Sequence, residues 1–422
     1  MRRLPATTVS YGIEFFADIG FHAATTVMAV YFVQEVGLNP LELVLLGTVF
    51  EATIFLFEIP TGVIADTYSR RASVILGLAL EGVAGIAMGL TESYPALIGT
   101  AMLWGVGATC LSGAYEAWIT DEVGVDRVGR VFFRNAQFAY AGAIVGALGG
   151  VAVATIDLGL ALVVGGSITL ATAIACVFVM PEHGFVRKPA SERLGAWRDV
   201  KTTAVAGGRL IRAQRLLVVI MAITFFIGAA SEGLDRLWEA HLIRDVGLPD
   251  LFGLDPVVWF GLINAAGLLA GIVITSFLIP RFEHADNAAL ARALMLLTAV
   301  VSASVIVFGL AVGFAVALAA YMVARLARRI TDPLYLTWLN RNIEDSSVRA
   351  TVTSIVSQTG AVGEIAGGPG VGVVGTVVSL RAALVVAGAL FAPAVALYAR
   401  ALRHGGKEPE LEQLPQASAT KA

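Results

Sequence analysis

Residues 62–71 carry the most information in this chain, and they read Gly62-Val63-Ile64-Ala65-Asp66-Thr67-Tyr68-Ser69-Arg70-Arg71. The stretch lies between two long apolar segments and combines an acid, two arginines and a glycine, a residue that disfavours helix interiors. It predicts a short charged connection at the cytoplasmic surface of a membrane, between two helices that cross it. Its position after the second apolar segment is what makes this short pattern specific.

The composition agrees with a membrane protein. Of the 422 residues, 57% are hydrophobic and only 14% are charged, whereas a soluble domain carries about 25% charged residues. Most of the surface is therefore expected to face lipid. The net charge of −3 gives no reason to expect a nucleic-acid partner. Cys110 and Cys176 fall inside apolar segments and predict neither a disulfide nor a metal site.

Twelve apolar segments are each long enough to cross a bilayer, which takes about 20 residues. They lie near 9–33, 41–64, 73–92, 95–118, 132–154, 158–180, 216–242, 256–280, 289–310, 312–339, 350–376 and 380–402. The predicted fold class is an all-α integral membrane protein with twelve transmembrane helices. Met1-Arg2-Arg3 precedes the first segment as in a signal peptide, but Glu14 and Asp18 interrupt that segment, so a retained helix is predicted.

The basic residues predict the orientation. Of the 29 Lys and Arg residues, only Arg244 and Arg381 fall in connections on one side of the membrane, and four lie inside segments. The remainder flank the opposite side. Because cytoplasmic connections hold the excess of Lys and Arg, both termini are predicted to be cytoplasmic.

The segments form two sets of six. The predicted units are an N-terminal bundle (1–180), a polar cytoplasmic linker (181–215), a C-terminal bundle (216–403) and a disordered polar tail (404–422). A surface helix is predicted near 191–212, in a linker interpreted as a solvated connection rather than a binding site. Because six is an even number, the two bundles enter the membrane from the same side, as parallel pseudo-repeats.

Three sequence similarities support the repeat, each found again roughly 210–221 positions later. Val36-Gly37-Leu38 recurs as Val246-Gly247-Leu248; Tyr115 and Trp118 recur as Tyr335 and Trp338; Gln137, Gly142, Gly146 and Gly149 recur as Gln358, Gly363, Gly367 and Gly370. With Gly150, Gly368 and Gly372, these glycines are spaced to share one face of the fifth and eleventh helices. Small residues at this spacing predict close helix packing, and a functional hinge is the alternative.

Ionisable side chains inside the apolar segments mark the predicted site, because they are unfavourable in lipid unless they face a cavity or a partner. The candidate cavity for protons and substrate comprises Glu14, Asp18, His22, Glu116, Glu232, Asp235, Arg236, Arg325, Arg329 and Asp332. Glu239 and Arg328 lie within the same charged groups of the seventh and tenth segments. The alternative is that these groups form fixed internal ion pairs, with His22 a hydrogen-bonded core residue.

Residues 62–71 resemble the loop between the second and third helices of major facilitator superfamily transporters, whose pattern is Gly-x-x-x-Asp-x-x-Gly-Arg-Lys/Arg. Gly62, Asp66, Arg70 and Arg71 match this pattern, and Ser69 replaces its second glycine. The resemblance extends from residue 9 to about 402. It implies two bundles that expose a central site alternately to each side. The matching residues are expected to form a gating loop that holds the cytoplasmic helix ends together, with Asp121 or Glu122 as partners.

Within that superfamily the chain resembles bacterial drug-efflux proteins, which implies the inner membrane of a bacterium. The resemblance is carried by Phe57-Glu58-Ile59-Pro60-Thr61-Gly62, Ser112-Gly113-Ala114-Tyr115-Glu116-Ala117-Trp118 and Arg349-Ala350-Thr351. One departure is the fourth helix: drug–proton antiporters typically carry an arginine there, but this fourth helix has none and Glu116 is its ionisable group. Their coupling mechanism is therefore not transferred to this chain. Ala147 also stands where the antiporter pattern of the fifth helix has a proline.

The sequence leaves three hypotheses for function. The first is proton-coupled export of a small amphipathic organic compound, and the second is uptake of an anionic metabolite, which the arginines of the tenth helix would suit. The third is a membrane sensor or scaffold that moves no solute. No ATP-binding loop, enzyme motif or metal-ligand spacing is present in the sequence. The expected partners are a small-molecule substrate, H+ and lipid, with no cofactor and no metal, and the expected state is a monomer.

Overall fold

The computed structural model describes residues 3–185, 208, 214–250, 253, 255–282, 285–343 and 349–404. The helices of this described part are α1 Ala6–Gln34, α2 Pro40–Thr67, α3 Arg70–Gly89, α4 Tyr94–Val123, α5 Val125–Ala154, α6 Leu158–Val179, α7 Arg215–Val246, α8 Pro256–Leu278, α9 Asn287–Leu310, α10 Phe314–Arg341, α11 Arg349–Val377 and α12 Leu380–Arg403. They coincide with the predicted segments. The predicted surface helix near 191–212 and the tail beyond 404 lie outside the described residues.

Ten of these helices are long and apolar enough to cross a membrane by length and composition alone. The other two are α10, which carries three arginines and an aspartate near its middle, and α11, in which glycines and polar residues lower the hydropathy. The charged groups of α10 are the ones that the sequence assigns to the site. The same charged residues therefore lower the hydropathy of α10 and mark the predicted site.

Several helices begin at a side-chain cap. The Asn39 side chain accepts a hydrogen bond from the backbone N–H of Glu42, and the Glu42 carboxylate accepts one from the backbone N–H of Asn39. The two bonds form a capping box ahead of Pro40. Ser69 accepts a hydrogen bond of 2.9 Å from the N–H of Ala72 and starts α3, and Asp157 starts α6 in the same way. These caps satisfy N–H groups that have no partner inside the helix.

The prediction that residues 62–71 form a connection, with the second segment ending near residue 64, was wrong for most of this stretch. Helix α2 continues through Pro60 and Gly62 to Thr67, and the connection to α3 consists of Tyr68 and Ser69 alone. A glycine inside a helix costs only about 1 kcal/mol. Tertiary contacts offset this cost, because Thr61 is buried and donates a 3.0 Å hydrogen bond to the carbonyl of Thr109 in α4.

The two sets of six helices pack in the same way. In the N-terminal half, α1–α6, helix α1 packs against α5 and α6; in the C-terminal half, α7–α12, helix α7 packs against α11 and α12. A methyl group on Gly146 of α5 would collide with the backbone of Ile19, and one on Gly367 of α11 would collide with the backbone of Ala229. These pairs stand at equivalent places in the two halves, so the parallel pseudo-repeat is confirmed.

The nine glycines of α5 and α11 that were predicted to share a packing face serve close packing, with two exceptions. Gly142 and Gly363 also lie against the partner helix, facing the carbonyls of Phe15 and Phe225. Nothing lies within 4 Å of a methyl group placed on Gly149 or on its equivalent Gly370. The prediction that Gly149 and Gly370 share the packing face was wrong. Adjacent residues lie about 100° apart around a helix, so Gly149 points away from the face that Gly150 occupies, and Gly370 has the equivalent position in α11.

The turns after α1 and α7 are also equivalent. Gly37 and Gly247 have φ angles of 73° and 80°, in the left-handed region that side chains rarely adopt. Each glycine reverses the chain immediately after its helix. The repeated Val-Gly-Leu sequence is thus explained by the backbone that the turn requires.

The two halves are joined tightly at one end of the bundle. This end, called the far end, holds Gln34 and Pro40; the basic end is the opposite one, where α1 begins and α2 ends. At the far end Arg244 donates a 2.8 Å hydrogen bond to the carbonyl of Leu38, and the N–H of Leu41 donates to Thr376 at 3.0 Å. Nearer the basic end, the side-chain amide of Gln358 donates a hydrogen bond to Glu58 across the two halves.

Candidate substrate cavity

A cavity of about 660 Å³ lies between the halves near the middle of the bundle. Helices α1 and α5 supply one wall, and α7, α8 and α10 supply the other. The polar side chains in these walls are His22, Thr25, Thr26, Tyr140, Asp235, Glu239, Asn264, Thr275, Tyr321, Arg325, Arg328, Arg329 and Asp332. Five of the ten predicted cavity residues are among them: His22, Asp235, Arg325, Arg329 and Asp332.

The arginines of α10 occupy a surface that α8 leaves open. A methyl group on Gly267 would lie 2.9 Å from the Nε of Arg325, and one on Gly271 would lie 3.0 Å from the Cδ of Arg329. The two glycines are four residues apart, like the two arginines, so each glycine accommodates one arginine. Sequence reasoning missed these glycines, although their matching spacing was visible.

The three guanidinium groups of α10 have different partners. Arg328 forms two hydrogen bonds with Asp235 of α7, at 2.5 and 2.8 Å. Arg325 donates to the amide oxygen of Asn264 at 2.8 Å and to the hydroxyl of Tyr321 at 3.4 Å. Within the described part of the chain, no carboxylate lies within 4.0 Å of Arg325 or Arg329.

Two acids of the cavity also lack an ion-pair partner. Neither Glu239 nor Asp332 has a cationic group within 4.0 Å among the described residues. The Oε2 atom of Glu239 is buried and accepts no hydrogen bond there. The cavity thus offers acids and arginines without an ion-pair partner, beside the one ion pair of Asp235 and Arg328.

A second, apolar chamber of about 270 Å³ adjoins the polar cavity. Its walls come mainly from α1, α2 and α4 and include Phe21, Met28, Phe32, Leu46, Phe50 and Trp104. Thr25, Asp235 and Glu239 line both spaces, and Arg236 lines the apolar chamber alone. A solute with a charged part and an apolar part would find both environments side by side.

Glu232 lies outside both spaces, in a charged cluster between α2, α7 and α11. Its carboxylate receives a 3.0 Å hydrogen bond from Arg236, and Glu51 lies 3.9 Å from the same guanidinium. Glu51, Glu232 and Glu364 bring one oxygen each within 4.8 Å of the others. Three oxygens beside a guanidinium make a poor metal site, because hard cations such as Ca²⁺ take about 6–8 oxygen ligands.

The remaining predicted acids lie between the cavity and the basic end. Glu14 and Asp18 are about two turns and one turn nearer that end than His22, and Asp18 lies 3.8 Å from His22. Glu14 approaches the hydroxyl of Tyr115, next to the exposed Glu116. The spacing of Glu14, Asp18 and His22 predicted a common stripe on α1. Each step of four residues also moves about 6 Å along the helix axis. Of the three residues, His22 therefore lines the cavity.

The gating loop joins helix ends within the N-terminal half. Arg70 hydrogen-bonds Asp66 at 3.1 Å, Asp121 in α4 and the carbonyl of Ala117 at 3.1 Å. The expected partner Asp121 is thereby confirmed. Arg71 donates to the carbonyl of Met180 at 2.8 Å.

The other expected partner, Glu122, accepts instead from the N–H of Gly184 at 2.7 Å. Ser69 and the N–H of Arg71 both donate to Glu182. The partners described for Asp66, Ser69, Arg70 and Arg71 belong to residues 66–185 and include the ring of Phe185, which lies 5.7 Å from the Arg70 guanidinium. These contacts fasten α2, α3, α4 and the end of α6 to one another, so the loop holds helix ends together as expected.

Comparison with known proteins identifies the family of the chain. The family model of the Major Facilitator Superfamily matches residues 11–368. The chain belongs to this superfamily. An uncharacterized MFS-type transporter of Bacillus subtilis (strain 168), YxaM, is 24% identical over 366 residues, which cover 85% of this chain and 86% of YxaM.

Solved structures of other proteins share the fold. A bacterial homologue of the human lysosomal transporter Spinster, in an inward-facing and unoccupied conformation, aligns with a TM-score of 0.71 at 16% identity, over 94% of this chain and 96% of that one. The nucleoside transporter NupG aligns with a TM-score of 0.75 at 10% identity, over 95% of this chain and all of that one (100%). These two likenesses show the fold alone. Membership of the superfamily, together with the candidate spans, makes the chain a multi-pass membrane transporter of the superfamily type.

Proposed function

We propose that this transporter exports a small amphipathic organic compound in exchange for protons, by alternating access to the central cavity. The observation that carries the proposal is the junction of a charged cavity with an apolar chamber, which share Thr25, Asp235 and Glu239. One chain supplies both walls, so we propose that it works as a monomer. An apolar body and a charged group of one solute would occupy the two spaces together.

Coupling would follow from competition at an acid. A carboxylate can hold a proton or the cationic group of a solute, but not both, and exclusive occupancy is sufficient to couple opposite flows. Asp235, Glu239 and Asp332 are the acids in the cavity wall. We propose that Glu14, Asp18 and Glu116 line the route by which protons travel between the cavity and the basic end.

The proposed direction rests on topology and on the resemblance to efflux proteins. If both termini are cytoplasmic, as the basic residues predict, the tightly joined far end faces outward. Tyr140, which is 50% exposed, and Asp332 then lie on the cytoplasmic side of the cavity. The conformation would be the one in which an exported solute loads from the cytoplasm of a bacterial cell.

The test is substrate-driven proton flux in proteoliposomes. The purified protein is reconstituted with a pH-sensitive dye inside, and cationic, anionic and zwitterionic compounds are added in turn. Exchange predicts that a solute gradient drives protons in the opposite direction. Glu81→Gln is the matched control, because Glu81 is a carboxylate in α3 that lines neither chamber. Protein that moves solute without protons would contradict the coupling, and protein that moves no compound would contradict transport.

The second candidate is uptake of an anionic metabolite together with protons. It is favoured by Arg325 and Arg329, whose guanidinium groups have no carboxylate within 4.0 Å in the described chain. Guanidinium groups bind carboxylates and phosphates through paired hydrogen bonds. In the same vesicles, an anion gradient would then drive protons in the same direction as the anion.

A further inference from the structure

We propose that the transported solute is a zwitterion with an apolar body, whose acid group binds Arg325 and Arg329 and whose ammonium group replaces a proton on Glu239. This inference rests on the proposed function and specifies the substrate class and the exchange site within it. An amino acid with a large apolar side chain has the required chemistry.

The cavity wall carries ionisable groups of both signs. The cavity wall holds three arginines and three acids, and Asp235 and Arg328 neutralise each other through two hydrogen bonds. Arg325 and Arg329 have no acid within 4.0 Å, and Glu239 has no cation within that distance, among the described residues. A pure anion would leave the acid unpaired and a pure cation would leave the arginines unpaired, whereas a zwitterion meets both.

The arginine side of the site is preorganised for a carboxylate. A guanidinium has five N–H donors, of which Arg325 uses one for Asn264 at 2.8 Å and one for Tyr321 at 3.4 Å. Arg329 uses none on a described residue. Gly267 and Gly271 of α8 lie directly against the two arginine side chains and limit their positions. An acid group would accept the free donors in a bidentate arrangement.

Glu239 is a cavity acid that lacks a hydrogen-bond donor. Its Oε2 atom is buried and has no hydrogen-bond partner in the described chain, and a buried polar group without a partner is unfavourable. A proton on that carboxyl group removes the charge when no solute is bound. When an ammonium group arrives, the proton leaves to the water of the cavity and the ammonium donates N–H hydrogen bonds to the carboxylate. One proton is released for each solute bound.

The surroundings of Glu239 distinguish it from the other acids. Arg325 and Tyr321 of α10 and Asp235 and Arg236 of α7 are the charged or titratable groups near it. His22 of α1 faces the same cavity. Arg236 is engaged by Glu232 at 3.0 Å, and Asp235 by Arg328, so neither is available to pair with the solute.

Asp332 is the less suitable acid. It follows Arg328 and Arg329 on α10 by four and three residues, a spacing at which opposite charges on a helix attract each other. Asp332 therefore lies near two cations of its own helix, although neither comes within 4.0 Å of it. Glu239 also lies where the polar and apolar spaces meet, so that a solute bound there can extend its apolar body among Phe21 and Trp104.

The test uses two matched series of probes on the full-length protein in detergent. The first is homophenylalanine, 4-phenylbutanoate and 3-phenylpropylamine; the second is tryptophan, indole-3-propionate and tryptamine. Within each series the apolar body is constant, and the compound carries both charges, the acid alone or the amine alone. Affinity is measured by calorimetry, and proton release is measured in weakly buffered solution.

Each zwitterion is expected to bind at least about tenfold more tightly than either of its partners, which corresponds to about 1.4 kcal/mol, and to release protons. Glu239→Gln should abolish proton release and reduce zwitterion affinity to that of the acid, without weakening the acid. Arg329→Gln should reduce zwitterion affinity to that of the amine. Glu81→Gln should change neither quantity.

The proposal is wrong if neither zwitterion binds more tightly than both of its partners. It is also wrong if Asp332→Asn, rather than Glu239→Gln, removes the dependence on the amine. Failure of the proposed function is separate: vesicles would then show no solute-driven proton flux with any compound. Vesicles that exchange protons for simple cations but not for these zwitterions would retain the proposed function and reject only the substrate class.

Discussion

Asp235 of α7 and Arg328 of α10 are joined by two hydrogen bonds, of 2.5 and 2.8 Å, in the wall of the central cavity. The pair neutralises one of the three arginines of α10 and leaves Arg325 and Arg329 available. Its side chains are 46% and 33% exposed. Water therefore screens the pair, and its contribution is closer to that of a surface ion pair than to that of a buried one.

Breaking the pair of Asp235 and Arg328 should lower stability slightly, and removing the second charge as well should recover part of the loss. Asp235→Asn leaves Arg328 without its acid, and we expect a loss of about 1 kcal/mol, seen as a melting temperature lower by about 2 °C in purified protein. The double variant Asp235→Asn with Arg328→Gln leaves neither charge alone and should recover part of the loss. If the double variant loses as much as the two single variants added together, the residues are not coupled.

The glycines of α5 give a test of packing with an internal control. Gly146→Val places a side chain against the backbone of Ile19, which cannot move without shifting α1. Overpacking of this kind costs about 1–3 kcal/mol, so the yield of monodisperse protein and the melting temperature should both fall. Gly149→Val, on the same helix but with open space around it, should be tolerated. Equal effects of the two substitutions would contradict the packing described for α1 and α5.

Much of the fold could be predicted because its signals are local. The twelve apolar segments and the repeated Val-Gly-Leu turns are set by hydropathy and by backbone conformation within a few residues. The end of α2 was misplaced because Gly62 is weakly unfavourable in a helix, while the hydrogen bond from Thr61 to α4 that offsets this depends on a distant part of the chain. Local propensity could not show that contact.

The site was predicted by residue type more than by position. The arginines of α10 and Asp235 were expected at the site because they are ionisable groups inside apolar segments, and they do line the cavity. Glu14 and Asp18 share a stripe with His22, but their depth along α1 relative to the cavity depends on where the halves meet. The apolar chamber draws side chains from α1, α2 and α4, and only the packed bundle brings those together.

The contacts of the gating loop predict that Arg70 contributes more to stability than Asp66. Arg70 joins Asp66, Asp121 and the carbonyl of Ala117, whereas the side chain of Asp66 is 57% exposed. Arg70→Gln should lower the melting temperature, and Asp66→Asn should do so less. Because the loop lies away from the cavity, Asp66→Asn is expected to slow transport more than it weakens substrate binding.

The control for this pair is Asp126→Asn, which changes another exposed acid at the start of α5. It should leave turnover and stability unchanged. An Asp66→Asn protein with normal turnover but weakened affinity would contradict a role in holding helix ends and would indicate contact with the substrate.

The topology can be measured by cysteine labelling. Native Cys110 and Cys176 are only 5% and 3% exposed, so that they should contribute little background. Cysteines introduced into residues 186–213 and 405–422 are expected to react with an impermeant reagent only in inverted vesicles. A cysteine replacing Asp250 should react only from outside intact cells. The opposite pattern for Asp250 would invert the orientation and make the conformation described here outward-facing.

The last prediction separates the acids of α1 from Glu239. Asp18 lies 3.8 Å from His22, and Glu14 is farther toward the basic end, so we expect both to lie on the proton route rather than at the exchange site. The double variant Glu14→Gln with Asp18→Asn should slow proton flux by about tenfold, equivalent to about 1.4 kcal/mol in the barrier. The number of protons exchanged per solute should stay the same, because Glu239 still alternates between proton and solute. Glu239→Gln should instead allow solute to move without proton exchange. The measurement is the ratio of proton to solute flux in proteoliposomes. If the ratio falls in the double variant and is unchanged in Glu239→Gln, the coupling acid lies on α1.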